Sequence, residues 1–222
     1  MAYSAQKSAG FGMKNIFRLA AGILGVAALV LQYVLVLTGE SGPDAVRRTI
    51  NFFSYFTILT NVLVVLALLG PTLFGETAVG RFFMRLGVRT AIAIYIIIVS
   101  ALVFFILRHL TNLQGLVYLC DFLLHYVMPA LFVVDWAFFV PKTKLQWRGM
   151  LGWLWYPIIY LAWTFVHGAL SGFYPYPFLN TEVLGVGRVL LNELGLLVVF
   201  FILGLVMISL GRLVPTSKSP LQ

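Results

Sequence analysis

Charge is scarce in this chain and cysteine almost absent. Only 10% of the 222 residues are Asp, Glu, Lys or Arg, against 61% hydrophobic, and the mean hydropathy is +1.00. That balance excludes a soluble globular domain and points to a polytopic membrane protein. The single cysteine, Cys120, excludes an intramolecular disulfide and a Cys-rich metal site. It falls in an apolar segment, where a small packing residue is expected. No metal site and no cofactor are expected. Residues 1–15 carry Lys7 and Lys14 but no cleavage motif, and the apolar run that follows is too long for a signal-peptide core. The segment is therefore expected to stay attached.

Six apolar segments are present, at about residues 16–37, 50–69, 90–107, 116–140, 150–170 and 189–210. Each approaches the roughly 20 residues that a spanning helix needs. A backbone in lipid must satisfy its own hydrogen bonds, so these segments are expected to be helices. The fold class predicted is a single all-α, six-helix transmembrane bundle over 1–222. Gly42-Pro43, Gly70-Pro71, Pro141 and the run Tyr174-Pro175-Tyr176-Pro177 punctuate the connections, and no loop reaches domain size. No internal repeat of the inverted-transporter kind is evident.

The net charge of +8 is spread over short loops, which fits membrane orientation rather than a nucleic-acid partner. With the N-terminus inside, eleven cations (Lys7, Lys14, Arg18, Arg81, Arg85, Arg89, Lys142, Lys144, Arg148, Arg212 and Lys218) fall inside and four (Arg47, Arg48, Arg108 and Arg188) outside. Both termini are thus expected to be cytoplasmic. Trp147, Trp153, Trp155, Tyr174 and Tyr176 fall near the expected interfaces, where such side chains act as anchors.

Against this apolar background His125 and Asp121 are conspicuous, because ionisable groups in lipid are costly and mark functional candidates. At i and i+4 they share a helix face, and the carboxylate can orient the imidazole and stabilise its charged form. In the second segment Asn51, Ser54, Thr57 and Asn61 fall on one side of a helix at 100° per residue. Such a stripe also suits ordinary helix packing. Counted at about 1.5 Å per residue from the outer ends, Thr57 lies roughly 10 Å deep and His125 roughly 13 Å deep. His167 and Glu193 fall at a similar outer level. Thr57, His125 and Asp121 then form a candidate nucleophile, base and orienter, with Asn61 as an oxyanion donor and Ser54, His167 and Glu193 as binding residues. Other readings stand beside this one. His125 is also a candidate structural hydrogen-bonder, and His125 with His167 a weakly supported haem pair. Asp135 is expected to pair at the interface with Lys142, Lys144 or Arg148, Glu193 either to line the site or to pair with Arg188, and His109 to face solvent or headgroups.

The segments Tyr55-Phe56-Thr57-Ile58-Leu59-Thr60-Asn61 and His125-Tyr126-Val127-Met128-Pro129, and the stretch from Trp163 to His167 followed by Tyr176-Pro177-Phe178-Leu179, resemble the androgen-induced-gene-like membrane family. Bacterial members of that family carry the label Pr6Pr. The resemblance implies a six-helix protein. It also implies a threonine hydrolase of fatty acid esters of hydroxy fatty acids, with one intramembrane Thr, matched by Thr57, and one His, matched by His125. The expectation is an integral, multi-pass lipid-ester hydrolase of the bacterial plasma membrane, in contact with membrane lipids and acting on an apolar acyl-ester substrate. The alternative is a non-enzymatic lipid- or small-molecule-binding protein or a transporter. Oligomeric state is not set by the sequence.

Overall fold

The computed structural model describes residues 12–39, 44–142 and 145–213. Lys7, Lys144 and Lys218, counted above toward the charge bias, lie outside the described residues. Among those residues the regular structure is entirely helical, and six helices are long and apolar enough to cross a membrane. Span one is Met13–Thr38, span two Phe56–Leu73, span three Leu86–His109, span four Gly115–Phe139, span five Gly149–Ser171 and span six Val186–Arg212. The chain is thus an all-α polytopic membrane bundle.

Span three is the most buried of the six and forms the axis of the core. Its residues from Ala91 to Val99 pack with Val64, Ala67 and Leu68 of span two, Met128 and Phe132 of span four, and Phe200 and Met207 of span six. Gly22 and Gly25 let span one approach closely, since a Cβ at Gly25 would collide with Val65 and Met128. Leucine, isoleucine and valine side chains on the outer faces remain exposed. In water such a surface would aggregate, whereas lipid solvates it.

Span three begins at Leu86 rather than near 90 and so takes Arg89 into the bundle, 2% exposed, while Arg18 of span one, counted among the inside cations, is buried as well at 4%. Their partner is Asp135, which is fully buried in span four. Arg18 grips both of its oxygens, Nε donating to Oδ1 at 2.5 Å and an Nη to Oδ2 at 3.2 Å, and Arg89 pairs with Oδ2 as well. Arg89 also donates to the Ala67 carbonyl at 2.6 Å and the Phe83 carbonyl at 3.2 Å. The expected interfacial pairing of Asp135 with Lys142 or Arg148 is not formed. Lys142 instead donates to the carbonyls of Ala137 and Val140 and lies 4.9 Å from the Trp136 ring. A buried carboxylate is stable only when its charge is met at close range, and two guanidiniums from neighbouring spans do so better than a flexible lysine at the helix end.

The second apolar segment is not one helix. Ala45–Phe52 is a separate short helix, capped by the Asp44 carboxylate, and the chain turns at Phe53 and Ser54 before span two begins at Phe56. Ser54 therefore lies in the turn and Thr57 in the first turn of span two, not on one continuous helical stripe. Among the expected interface anchors, Trp153 and Tyr176 point inward, 7% and 8% exposed, while Trp147 and Trp155 stay outside.

Candidate functional site

The turn before span two is fastened to span five through Ser54. Its hydroxyl donates to the Ile50 carbonyl at 2.8 Å, as serines near a helix end commonly do. The same oxygen accepts from the Trp163 indole at 3.1 Å and lies 3.3 Å from His167 Nδ1. With its single proton already committed, Ser54 Oγ acts as acceptor, so the hydrogen bond from the imidazole places a proton on Nδ1 of His167. Tyr160 donates to the Ser54 carbonyl at 3.1 Å, and the Trp163 and His167 rings stack with centroids 5.3 Å apart. Ser54 and His167, both expected as binding residues, thus meet, and they brace the entrance of span two without lining the cavity beside Thr57.

One turn further on, Thr57 meets Tyr176, which the sequence reading places in a loop and at the membrane interface but not among the site residues. Tyr176 Oη accepts from the Thr57 backbone N–H at 3.1 Å and lies 3.0 Å from Thr57 Oγ1. The first amides of a helix have no partner within it, and here the phenol supplies one. Tyr176 reaches this position because the segment after span five folds back over the bundle. Gly172, at φ +69°, ends span five in the left-handed conformation that favours glycine. Gly168 leaves room for the Tyr174 ring, and Asn192 of span six donates to the Phe178 carbonyl at 2.9 Å. Burial pushes the Tyr176 phenol up to about 12. At neutral pH it is protonated and holds the threonine hydroxyl without being able to take its proton.

Beside this pair lies an apolar cavity of about 390 Å³, bounded by spans three, five and six and by the Tyr176–Leu179 segment. Its walls are Ile98, Val99 and Leu102 on one side and Leu161, Leu197 and Phe200 on others, with Thr57, Tyr176 and Glu193 also lining it. Ile158 of span five and Leu190 and Leu194 of span six stand at its rim, 53%, 50% and 55% exposed. The cavity therefore opens sideways, between spans five and six, toward the apolar surroundings. Its volume falls in the range of about 300–1,000 Å³ usual for small-molecule pockets. Glu193 lines this space, and no ion pair between it and Arg188 is formed.

His125 and Asp121 pair as their spacing predicts, with Nδ1 2.9 Å from Oδ1 and 3.0 Å from the Asp121 carbonyl oxygen. Both remain partly exposed, at 17% and 24%. They sit where span four departs from the α-helix, because Leu123–Val127 forms a π turn in which the Met128 amide bonds the Leu123 carbonyl. Pro129 has no N–H to continue the ladder, and the Leu124 carbonyl is left over. Asn61 fills that vacancy by donating at 3.1 Å to Leu124 O and at 3.0 Å to Thr57 O. Both amide hydrogens of Asn61 are thereby committed to backbone carbonyls, joining span two to the π turn of span four. The Thr57 amide and hydroxyl bond Tyr176 and the His125 ring bonds Asp121, and no hydrogen bond joins Thr57 to His125.

Comparison with family models, curated proteins and solved structures gives no match. Among the described residues, no group of three or more His, Cys, Asp or Glu is placed to hold a metal ion. The site residues that sequence reasoning missed are Tyr176, Tyr160 and Trp163. The available signal was Tyr176 between two prolines, a rigid turn able to aim an aromatic ring back at the bundle.

Proposed function

We propose that this membrane protein takes the acyl chain of a lipid into the cavity between spans three, five and six, with the polar end of the lipid beside Thr57 and Tyr176. The observation that carries this reading is a sideways-opening apolar cavity with the mutually bonded hydroxyls of Thr57 and Tyr176 at its wall. An acyl chain gains about 0.8 kcal/mol per CH₂ on leaving water but little on leaving lipid, so selectivity falls to the polar end. A fatty alcohol bearing a diazirine near its chain end, irradiated with the protein in nanodiscs, tests it. Crosslinks are expected on Ile98, Leu102 and Leu197. Labelling spread evenly over the outer faces of spans one and six contradicts it.

A second reading, ester hydrolysis, is favoured by the position of Thr57 at the cavity wall and by the sequence resemblance. In that reaction Oγ1 attacks the acyl carbonyl and its proton passes to a base. The alcohol leaves with that proton, and water then releases the acid from the acyl-threonine. Tyr176 orients the hydroxyl, and His125, held by Asp121, is the base the resemblance implies. Turnover requires the imidazole to reach Oγ1, to which no hydrogen bond joins it in this conformation. A fluorophosphonate adduct and ester turnover that are both lost in Thr57→Ala and in His125→Ala support hydrolysis. Lipid crosslinking in the cavity with no adduct and no turnover leaves the protein a lipid binder.

A further inference from the structure

Among the polar groups lining the cavity, one differs from the rest. The hydroxyls of Tyr95 and Tyr160 donate to the carbonyls of Trp153 and Ser54, and those of Thr57 and Tyr176 bond each other. The side-chain carboxylate of Glu193 has neither a hydrogen bond nor an ion pair with any described residue. No lysine, arginine or histidine lines the same space. A carboxylate facing an apolar cavity is costly unless a cation or donors meet it, and the bundle here supplies neither. Tyrosine and phenylalanine rings, including Tyr95, Tyr160 and Phe200, line the same cavity, and aromatic faces attract desolvated cations.

We infer that the cavity selects amphiphiles with a cationic head, an alkyl ammonium compound in the simplest case, with Glu193 as the counter-charge. This rests on the lipid-binding reading above and adds the chemistry of the polar end. An ammonium head placed at Glu193 pairs its charge while its chain fills the apolar walls. A fatty carboxylate of equal length brings like charges together and is disfavoured. A fatty alcohol fits the walls but leaves the carboxylate uncompensated.

The test is competition against the diazirine fatty alcohol in zwitterionic nanodiscs, with dodecyltrimethylammonium, dodecanol and dodecanoate at matched membrane concentrations. Dodecyltrimethylammonium is expected to compete about tenfold better than dodecanol, and dodecanoate worst. Glu193→Gln should bring the ammonium and the alcohol to within about twofold of each other, and Glu193→Asp should keep part of the preference. Equal competition by ammonium and alcohol in the native protein overturns the inference, as does a preference unchanged in a Glu193→Gln protein that labels normally. If none of the three displaces the photoprobe, the lipid-binding reading falls first and this inference with it.

Discussion

Tyr176 and Thr57 are 119 residues apart in sequence, yet the phenol oxygen lies 3.0 Å from the threonine hydroxyl and 3.1 Å from the threonine amide nitrogen. One side chain thereby caps the start of span two, fixes the hydroxyl at the cavity wall and anchors the segment between spans five and six. Tyr176→Phe preserves the ring and its packing against Tyr55 and Phe178 but removes both hydrogen bonds. A loss of about 1–3 kcal/mol is expected, because the Thr57 amide is left buried without a partner. Thermal unfolding in detergent measures it, and an unchanged midpoint would show that the cap contributes nothing.

The same phenol makes stability fall at high pH. Its value is raised by burial from 10 to about 12, so the folded state favours the protonated form. The contribution is complete below pH 10 and is lost as pH rises through about 12. The difference in unfolding midpoint between wild type and Tyr176→Phe should be constant from pH 7 to 9 and shrink above 10. A difference that widens with pH would reverse the sign of this argument.

Asp135 is expected to be among the least replaceable residues. It answers two buried guanidiniums, Arg18 from span one and Arg89 from span three, so Asp135→Asn leaves charge uncompensated inside the bundle. A loss of about 3–5 kcal/mol is expected, visible as poor recovery of folded protein from membranes. Replacing all three together (Arg18→Met, Arg89→Met and Asp135→Leu) should recover most of it. Failure of the triple variant to do better than Asp135→Asn would show that the ions also specify the arrangement of the spans.

Gly168→Val tests how the cavity is closed. A side chain there collides with the Tyr174 ring, whose hydroxyl bonds Thr181 at 2.5 Å, and must displace the segment that carries Tyr176. The expected outcome is weakened lipid labelling with the Arg18–Asp135–Arg89 cluster undisturbed, so the helical content by circular dichroism stays unchanged. Normal labelling in this variant would mean that the segment does not shape the cavity.

The six spans were legible because lipid demands long apolar helices, and composition alone reveals those. The Asp121–His125 pair was legible for a similar reason, since an i, i+4 spacing is read directly from the sequence. Asp135 was misread because local spacing offers Lys142 and Arg148, while its real partners come from spans that only the packed bundle brings near. The break at Ser54 was missed because a turn made of apolar and hydroxyl residues carries no Gly or Pro. Asn61 illustrates the same limit: its stripe position marked it as polar and inward, but the π turn that uses its amide belongs to another helix.

A lipid chain is proposed to occupy the cavity beside Thr57 and Tyr176. The most direct measurement is a cryo-electron microscopy map of the protein in nanodiscs. Elongated density is expected to enter between spans five and six and to end beside Thr57, Tyr176 and Glu193. Closed packing of Leu161 against Leu197, with no space between spans five and six, would contradict it.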